Sequence, residues 1–192
     1  MIRFDYLWAK WRVIGLLVLG RNDAALEAFD QMVLRWPDDT YALASRAHLL
    51  TQKRQTAAAL IDSQRLVALR PAHAPTWFNH GFMLEVADRL EDALQAFQKA
   101  TTLDEQLDRA WYGQGMVLIR LKRYDEAVLA LKRNTELQPM SPYGWYQLAR
   151  VHMDRHEPDE AVKIIKHLKG FEPKVAAQLE RETGLLAVSS TT

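Results

Sequence analysis

Apolar positions along this chain recur at helical spacing in short runs parted by polar breaks, and the whole arrangement then repeats. From Ala74 to Gln106 the sequence reads APTWFNHGFMLEVADRLEDALQAFQKATTLDEQ. Trp77, Gly81 and Leu84 share one helix face, the break falls at Asp88 and Arg89, and Ala93, Phe97 and Ala100 share a face of a second helix. The spacing therefore predicts a pair of amphipathic helices. Ala25, Ala59, Ala93, Ala127 and Ala161 stand 34 residues apart without insertion or deletion, and Pro37, Pro71, Glu105, Pro139 and Pro173 keep the same step. Trp77, Trp111 and Trp145 mark the start of a copy, sixteen residues before the alanine. A fixed period in this range means one helix pair stacked on copies of itself, each touching its neighbours, so function resides in the surface the stack presents.

These residues resemble the tetratricopeptide repeat, whose signature of Trp, Leu-Gly, Tyr, Ala, Phe and Pro is met by Trp111, Gly115, Ala127 and Pro139, and by Trp145, Leu148, Ala149, Ala161 and Pro173. Five repeats are expected at about 6–39, 40–73, 74–107, 108–141 and 142–175, as one domain over 6–175. The first has Ala9 and Val13 where the family prefers Trp and Gly, the second has Leu43 and Ala47, and the third ends in Glu105 instead of proline. Small residues at Gly81, Gly115 and Ala149 are expected where the two helices of a repeat cross closely. The resemblance implies an all-α, right-handed α-solenoid of antiparallel helix pairs.

After Pro173 the chain can form one more helix, expected at 176–187, with Val175, Leu179 and Leu186 on one side and Lys174, Glu180 and Arg181 on the other. It would cap the stack, leaving 188–192 as a disordered tail. The first twenty residues carry charges within the first dozen, a short apolar run and no small-residue cleavage site, so they are expected to be mature structure. The run is too short to span a bilayer. A cytoplasmic location is the expectation.

Lys plus Arg number 25 against 24 Asp plus Glu, a formal net charge of +1, and no global bias recruits nucleic acid. With no cysteine, disulfides, zinc-thiolate sites and thiol catalysis are excluded together. No Gly-rich phosphate loop, nucleophile elbow or metalloprotease motif occurs. His152 and His156 have a metal-ligand spacing, but no third ligand stands at fixed spacing, and His152 falls in the packing stripe of its helix. The expectation is a non-enzyme without cofactor or metal.

The resemblance implies a concave surface lined by the first helices of all repeats. The residues there that the packing stripe does not use include Phe78, Asn79, Phe82, Arg109, Tyr112, Met116, Arg120, Tyr143, Tyr146 and Arg150. Aromatic side chains at solvent-facing positions gain little unless a partner covers them, about 1.5–3 kcal/mol for each one fully buried, although packing against a neighbouring first helix is the alternative for each. Arginines and an asparagine among aromatics suit a peptide or helix of a partner protein. Some family members hold the acidic C-termini of chaperones in a carboxylate clamp. Here its places hold Ala44, His48, Asn79, Arg109 and Gly113, of which only Asn79 and Arg109 fit, so no such clamp is expected.

The first helix has no polar face: from Tyr6 to Leu19 only Lys10 and Arg12 are charged, and they project about 200° apart. As the first helix of the first pair it is expected to have no helix stacked before it, so Trp8, Trp11, Leu16, Leu17 and Leu19 are not all expected to be covered by the chain itself. Three arrangements would cover them: a homodimer or helix exchange, a membrane surface, or a larger partner that an assembly chaperone or membrane-complex subunit would contact here. Self-association ranks first, because an interfacial helix keeps one charged face.

Overall fold

Every polar break between the helices of a pair becomes a left-handed turn. The computed structural model describes residues 2–185, with backbone alone at residues 2 and 3, so Leu186 and the expected tail at 188–192 lie outside the described residues. Gly20, Arg54, Asp88, Lys122 and His156, again 34 residues apart, all have φ between 59° and 67°. At each, the next N–H reaches back five residues, as from Gln55 to the Leu50 carbonyl and from Arg123 to that of Leu118, both 2.9 Å. The left-handed residue's own N–H reaches back three, closing the helix end as a Schellman motif. Only the first turn uses glycine. Lys122 is exposed and bears an L side chain in a region that costs about 1–2 kcal/mol. Lys122→Gly is therefore expected to raise stability by about 1 kcal/mol, or the melting temperature by roughly 2–4 °C, in a thermal scan.

The described residues are helices and turns throughout, in two compact halves divided after Arg89. The N-terminal half holds α1 (Ile2–Val18), α2 (Asn22–Arg35), α3 (Thr40–Gln52), α4 (Thr56–Leu69) and α5 (Ala74–Val86), each packed on the next. Its main core gathers Val13, Phe29, Met32 and Leu43, with Tyr6, Leu16, Leu17 and Trp36 around them.

The C-terminal half holds α6 (Leu90–Leu103), α7 (Asp108–Arg120), α8 (Tyr124–Leu137), α9 (Pro142–Asp154), α10 (Pro158–Lys169) and α11 (Pro173–Thr183). Consecutive helices pack there too, and α9 also touches α7 and α11. Between repeats a tight turn carries the proline series, and the signature tryptophan ties that turn to the following helix. The indole Nε1 of Trp77 donates to the Pro71 carbonyl (2.8 Å), that of Trp111 to Glu105 (3.0 Å) and that of Trp145 to Pro139 (2.9 Å). Each indole is half-buried, and its N–H finds the carbonyl six residues earlier within reach.

The small residues sit where helices approach most closely. A Cβ on Gly115 of α7 would stand 2.7 Å from Leu131 Cγ of α8, which is the close crossing within one repeat. Gly113 on the same helix faces Phe97 of α6, whose ring would stand 2.8 Å from a Cβ there, and Gly144 of α9 lies against the Asn134 side chain of α8, which a Cβ would strike. These two belong to the contact between successive repeats. Helix α11 buries Ala176 and Leu179 and stops at Gly184 in the left-handed conformation. Glu180, expected on its polar side, is instead buried, because Lys169 of α10 reaches its carboxylate at 2.5 Å.

Candidate protein-interaction surfaces

Helices α7, α9 and α11 stand side by side in the C-terminal half, since α7 and α9 are first helices of consecutive pairs and α11 takes the next place in that row. Of the residues expected to face a groove, Arg109, Arg120 and Arg150 are exposed, and Tyr112 and Met116 are half-buried on α7. Tyr143, 72% exposed, stands one turn before the half-buried Tyr146 on α9. An open cleft of about 480 Å³ runs between α9 and α11, lined by Pro142, Tyr143, Tyr146, Gln147, Val175 and Gln178, with Glu172 at its edge.

Its polar groups are already ordered. The Tyr146 hydroxyl donates to Glu182 Oε2 at 2.6 Å, Gln178 Nε2 donates to Glu182 Oε1 at 2.8 Å, and the Arg150 guanidinium lies 5.7 Å from the Tyr146 ring centre. The Tyr146 hydroxyl is held above the ordinary phenol value, first by its hydrogen bond to Glu182 and then by burial. Glu182 is lowered, chiefly by the same bond. The last helix thus occupies the space beside α9. Gln178 and Glu182 stand four residues apart on one face of α11, and no sequence period links them to Tyr146.

In the N-terminal half, α5 places Phe78 half-buried, Asn79 exposed and Phe82 47% exposed. The residues expected at the other surface divide. Leu16 and Leu17 pack around the core of that half, whereas Trp8, Trp11 and Leu19 are 61%, 69% and 73% exposed. With Leu34 of α2, Trp8 lines an open cleft of about 720 Å³ between α1 and α2.

A buried charged group escaped the sequence reading altogether. Asp62 of α4, 2% exposed, accepts two hydrogen bonds from Arg46 of α3, Nε to Oδ2 at 2.7 Å and Nη2 to Oδ1 at 2.6 Å. The same guanidinium reaches Asp30 of α2 at 3.0 Å. The neighbouring Ser63 meets His80 Nδ1 of α5 at 2.8 Å. In the 34-residue register Asp62 corresponds to Ala28, Ala96 and Ala130, and Ser63 to Phe29, Phe97 and Leu131, so the polar pair breaks an apolar series that the alignment displays. Hydrogen-bonded on both carboxylate oxygens, Asp62 holds Arg46 above its already high ordinary value.

His152 is buried with Nδ1 2.7 Å from Glu157 Oε2, and His156 occupies the left-handed turn. No group of three metal-ligating side chains occurs among the described residues. No helix among them is long and apolar enough to cross a membrane.

Helix pairs in a 34-residue register, with aromatic side chains left exposed on first helices, define a helical-repeat protein of the interaction-module class. The chain belongs to the tetratricopeptide repeat family, whose sequence model matches residues 12–74 and 84–142. Among solved structures it is similar to MamA, at 18% identity and a TM-score of 0.80 over 97% of this chain and 98% of that one. MamA from residue 41 onward of Desulfovibrio magneticus RS-1 gives 16% and 0.78 over 92% and 96%. YrrB, described as a TPR protein with an unusual peptide-binding site, gives 17% and 0.75 over 88% of each chain. At these identities the likeness shows the fold, an all-α solenoid of helix pairs. No curated protein matches the sequence.

Proposed function

We propose that this chain is a non-catalytic scaffold that binds a peptide or helix of a partner protein on the faces of its first helices, α5 in one half and α7 and α9 in the other. The observation that carries this reading is the aromatic cleft beside α9, where Tyr143 stands largely in water above Tyr146, Gln147 and Gln178. An extended segment laid there would bury the Tyr143 ring and meet side-chain amides able to pair with its backbone. Arg109, Arg120 and Arg150 would favour acidic side chains in it. The YrrB likeness supports peptide binding only as a shared fold. Affinity for a lone segment is expected near micromolar, about −8 kcal/mol, because ordering the segment offsets much of the burial.

The test is selection of binding peptides from a displayed library, followed by fluorescence titration of the selected peptide. Tyr143→Ala should weaken a peptide held by the C-terminal half, and Phe82→Ala one held by the N-terminal half, by about tenfold or more while helicity and melting stay unchanged. Peptide binding indifferent to both variants would remove the first-helix faces from the reading.

A second contact surface is favoured by a separate observation, the exposure of Trp8 and Trp11 on α1. In that reading α1 carries the contact with another copy, with a larger assembly or with a membrane surface, and the groove serves a different partner. A cytoplasmic location accompanies both readings.

A further inference from the structure

Helix α1 is apolar on two sides because it carries two seams. Tyr6, Ala9, Val13 and Leu16 turn toward α2 and the core of their half. Phe4, Trp8, Trp11, Gly15 and Val18 form the other, all of them exposed. Their steps of four, three, four and three residues are those of a coiled-coil seam. The register of later repeats shows which side this is. Ala42, Thr76, Ala110 and Gly144, which correspond to Trp8, are all buried, and Gly144 lies against Asn134 of the preceding second helix. An indole cannot fit where such a helix packs that closely, so the face is closed to the stacking of another repeat.

We propose that a second copy of this chain covers the face, α1 lying antiparallel on the partner's α1 about a twofold axis. This rests on the reading of α1 as a contact surface and is independent of the groove. Size and charge together select the register. With the axis passing between Ala9 and Lys10, Phe4 falls on the partner's Gly15 and Trp8 on the partner's Trp11, each contact occurring twice. Gly15 has nothing within 4 Å of the place a Cβ would take, which leaves room for the phenylalanine ring.

Asp5 and Arg12, seven residues apart on one flank of the seam, then face each other across the axis, and Leu7 and Ile14 do the same on the other flank. Both ion pairs form in that arrangement alone, since a parallel pair would set Arg12 beside the partner's Leu7. Within one chain Arg35 binds Asp5 through Oδ2 (2.6 Å), leaving Oδ1 to a second donor, and Arg12 already lies over Trp8 with its guanidinium 5.7 Å from the ring centre. Lys10 stays off the seam, over the Tyr41 ring at 4.8 Å.

Light scattering after size exclusion over a concentration series tests the pairing. The full chain should be a dimer near twice 22.1 kDa. Arg12→Asp makes the flank wholly acidic and Asp5→Arg wholly basic, so each variant alone should dissociate about tenfold more readily or worse, and an equimolar mixture of the two should recover the dimer. Gly15→Leu should give a monomer that melts no lower than the original, because the added side chain meets open space within its own chain. A dimer untouched by the charge reversals, or variants that fail to recover on mixing, overturns the proposal. A full chain that is monomeric at every concentration also overturns it. Sedimentation of that monomer with phosphatidylserine vesicles would leave α1 a contact surface for a membrane, and its failure to sediment would remove the membrane as well as the second copy.

Discussion

Asp62→Ala is expected to destabilise the chain by about 3 kcal/mol, read as a lower midpoint in urea unfolding. The carboxylate is buried and takes two short hydrogen bonds from Arg46, whose side chain is itself only 20% exposed. Removing the acid leaves the guanidinium in a largely dry place with Asp30 as its remaining acceptor, and Asp30 is half in water. Asp62→Asn should cost nearly as much, since it keeps the shape and loses the charge. The informative variant is the double one, Arg46→Leu with Asp62→Ala. It installs the residues that other repeats carry at these places, Leu148 on a first helix and Ala96 or Ala130 on a second. Its loss should be smaller than that of Asp62→Ala alone, because an apolar contact replaces a buried pair whose desolvation offset much of its attraction. Equal or additive losses would mean that the ion pair contributes independently of its burial.

A second large effect is expected at the contact between α6 and α7, and it changes sign with its neighbour. Phe97, 1% exposed, lies with its ring against Gly113, where a Cβ would stand 2.8 Å from Cζ and 2.9 Å from Cε1. Phe97→Ala should cost about 3–5 kcal/mol through lost burial and the cavity left behind. Gly113→Ala in the original chain should cost about 1–3 kcal/mol, since the ring has to leave its place. In the Phe97→Ala chain the same glycine substitution should stabilise by roughly 1 kcal/mol, because the methyl group enters vacated space and alanine is the better helix former. Melting curves of the four chains complete the cycle. A Gly113→Ala penalty that persists without the ring would place the constraint elsewhere than in this contact.

Both predictions concern departures from, or pairings within, a register that was visible in the sequence, and they mark where its legibility ended. The alanine and proline series predicted five helix pairs, and the apolar spacing after Pro173 predicted one helix more, since each helix needs only a local run of apolar positions and a residue to stop it. The tryptophans were legible as the start of a copy, yet their indole bonds to Pro71, Glu105 and Pro139 were not, because a hydrogen bond depends on how the turn folds back. Gly115 was read correctly as the crossing within a repeat. Gly113 and Gly144, which serve the contact between repeats, stood outside the signature and were passed over.

The candidate surfaces were read less fully than the fold. Trp8 and Trp11 are named by the apolar spacing of the first helix, and Phe82 and Tyr143 by the family resemblance, as first-helix positions left over once the packing stripe is assigned. The partners that α11 supplies could not be named, since Glu182 is 36 residues from Tyr146 and no period links them. Glu180 illustrates the same limit: its polar character put it on the wet side of the helix, and only the arrival of Lys169 made burial tolerable.

By itself the sequence determined the helices, their pairing, the period and the family, because all of these follow from contacts that recur at fixed, short separations along the chain. The tertiary structure alone decided which polar groups go inside, which side of α1 stays bare and what stands beside α9. Those outcomes depend on side chains brought together from different helices, where the energy of each group is set by neighbours that its own stretch of sequence does not contain.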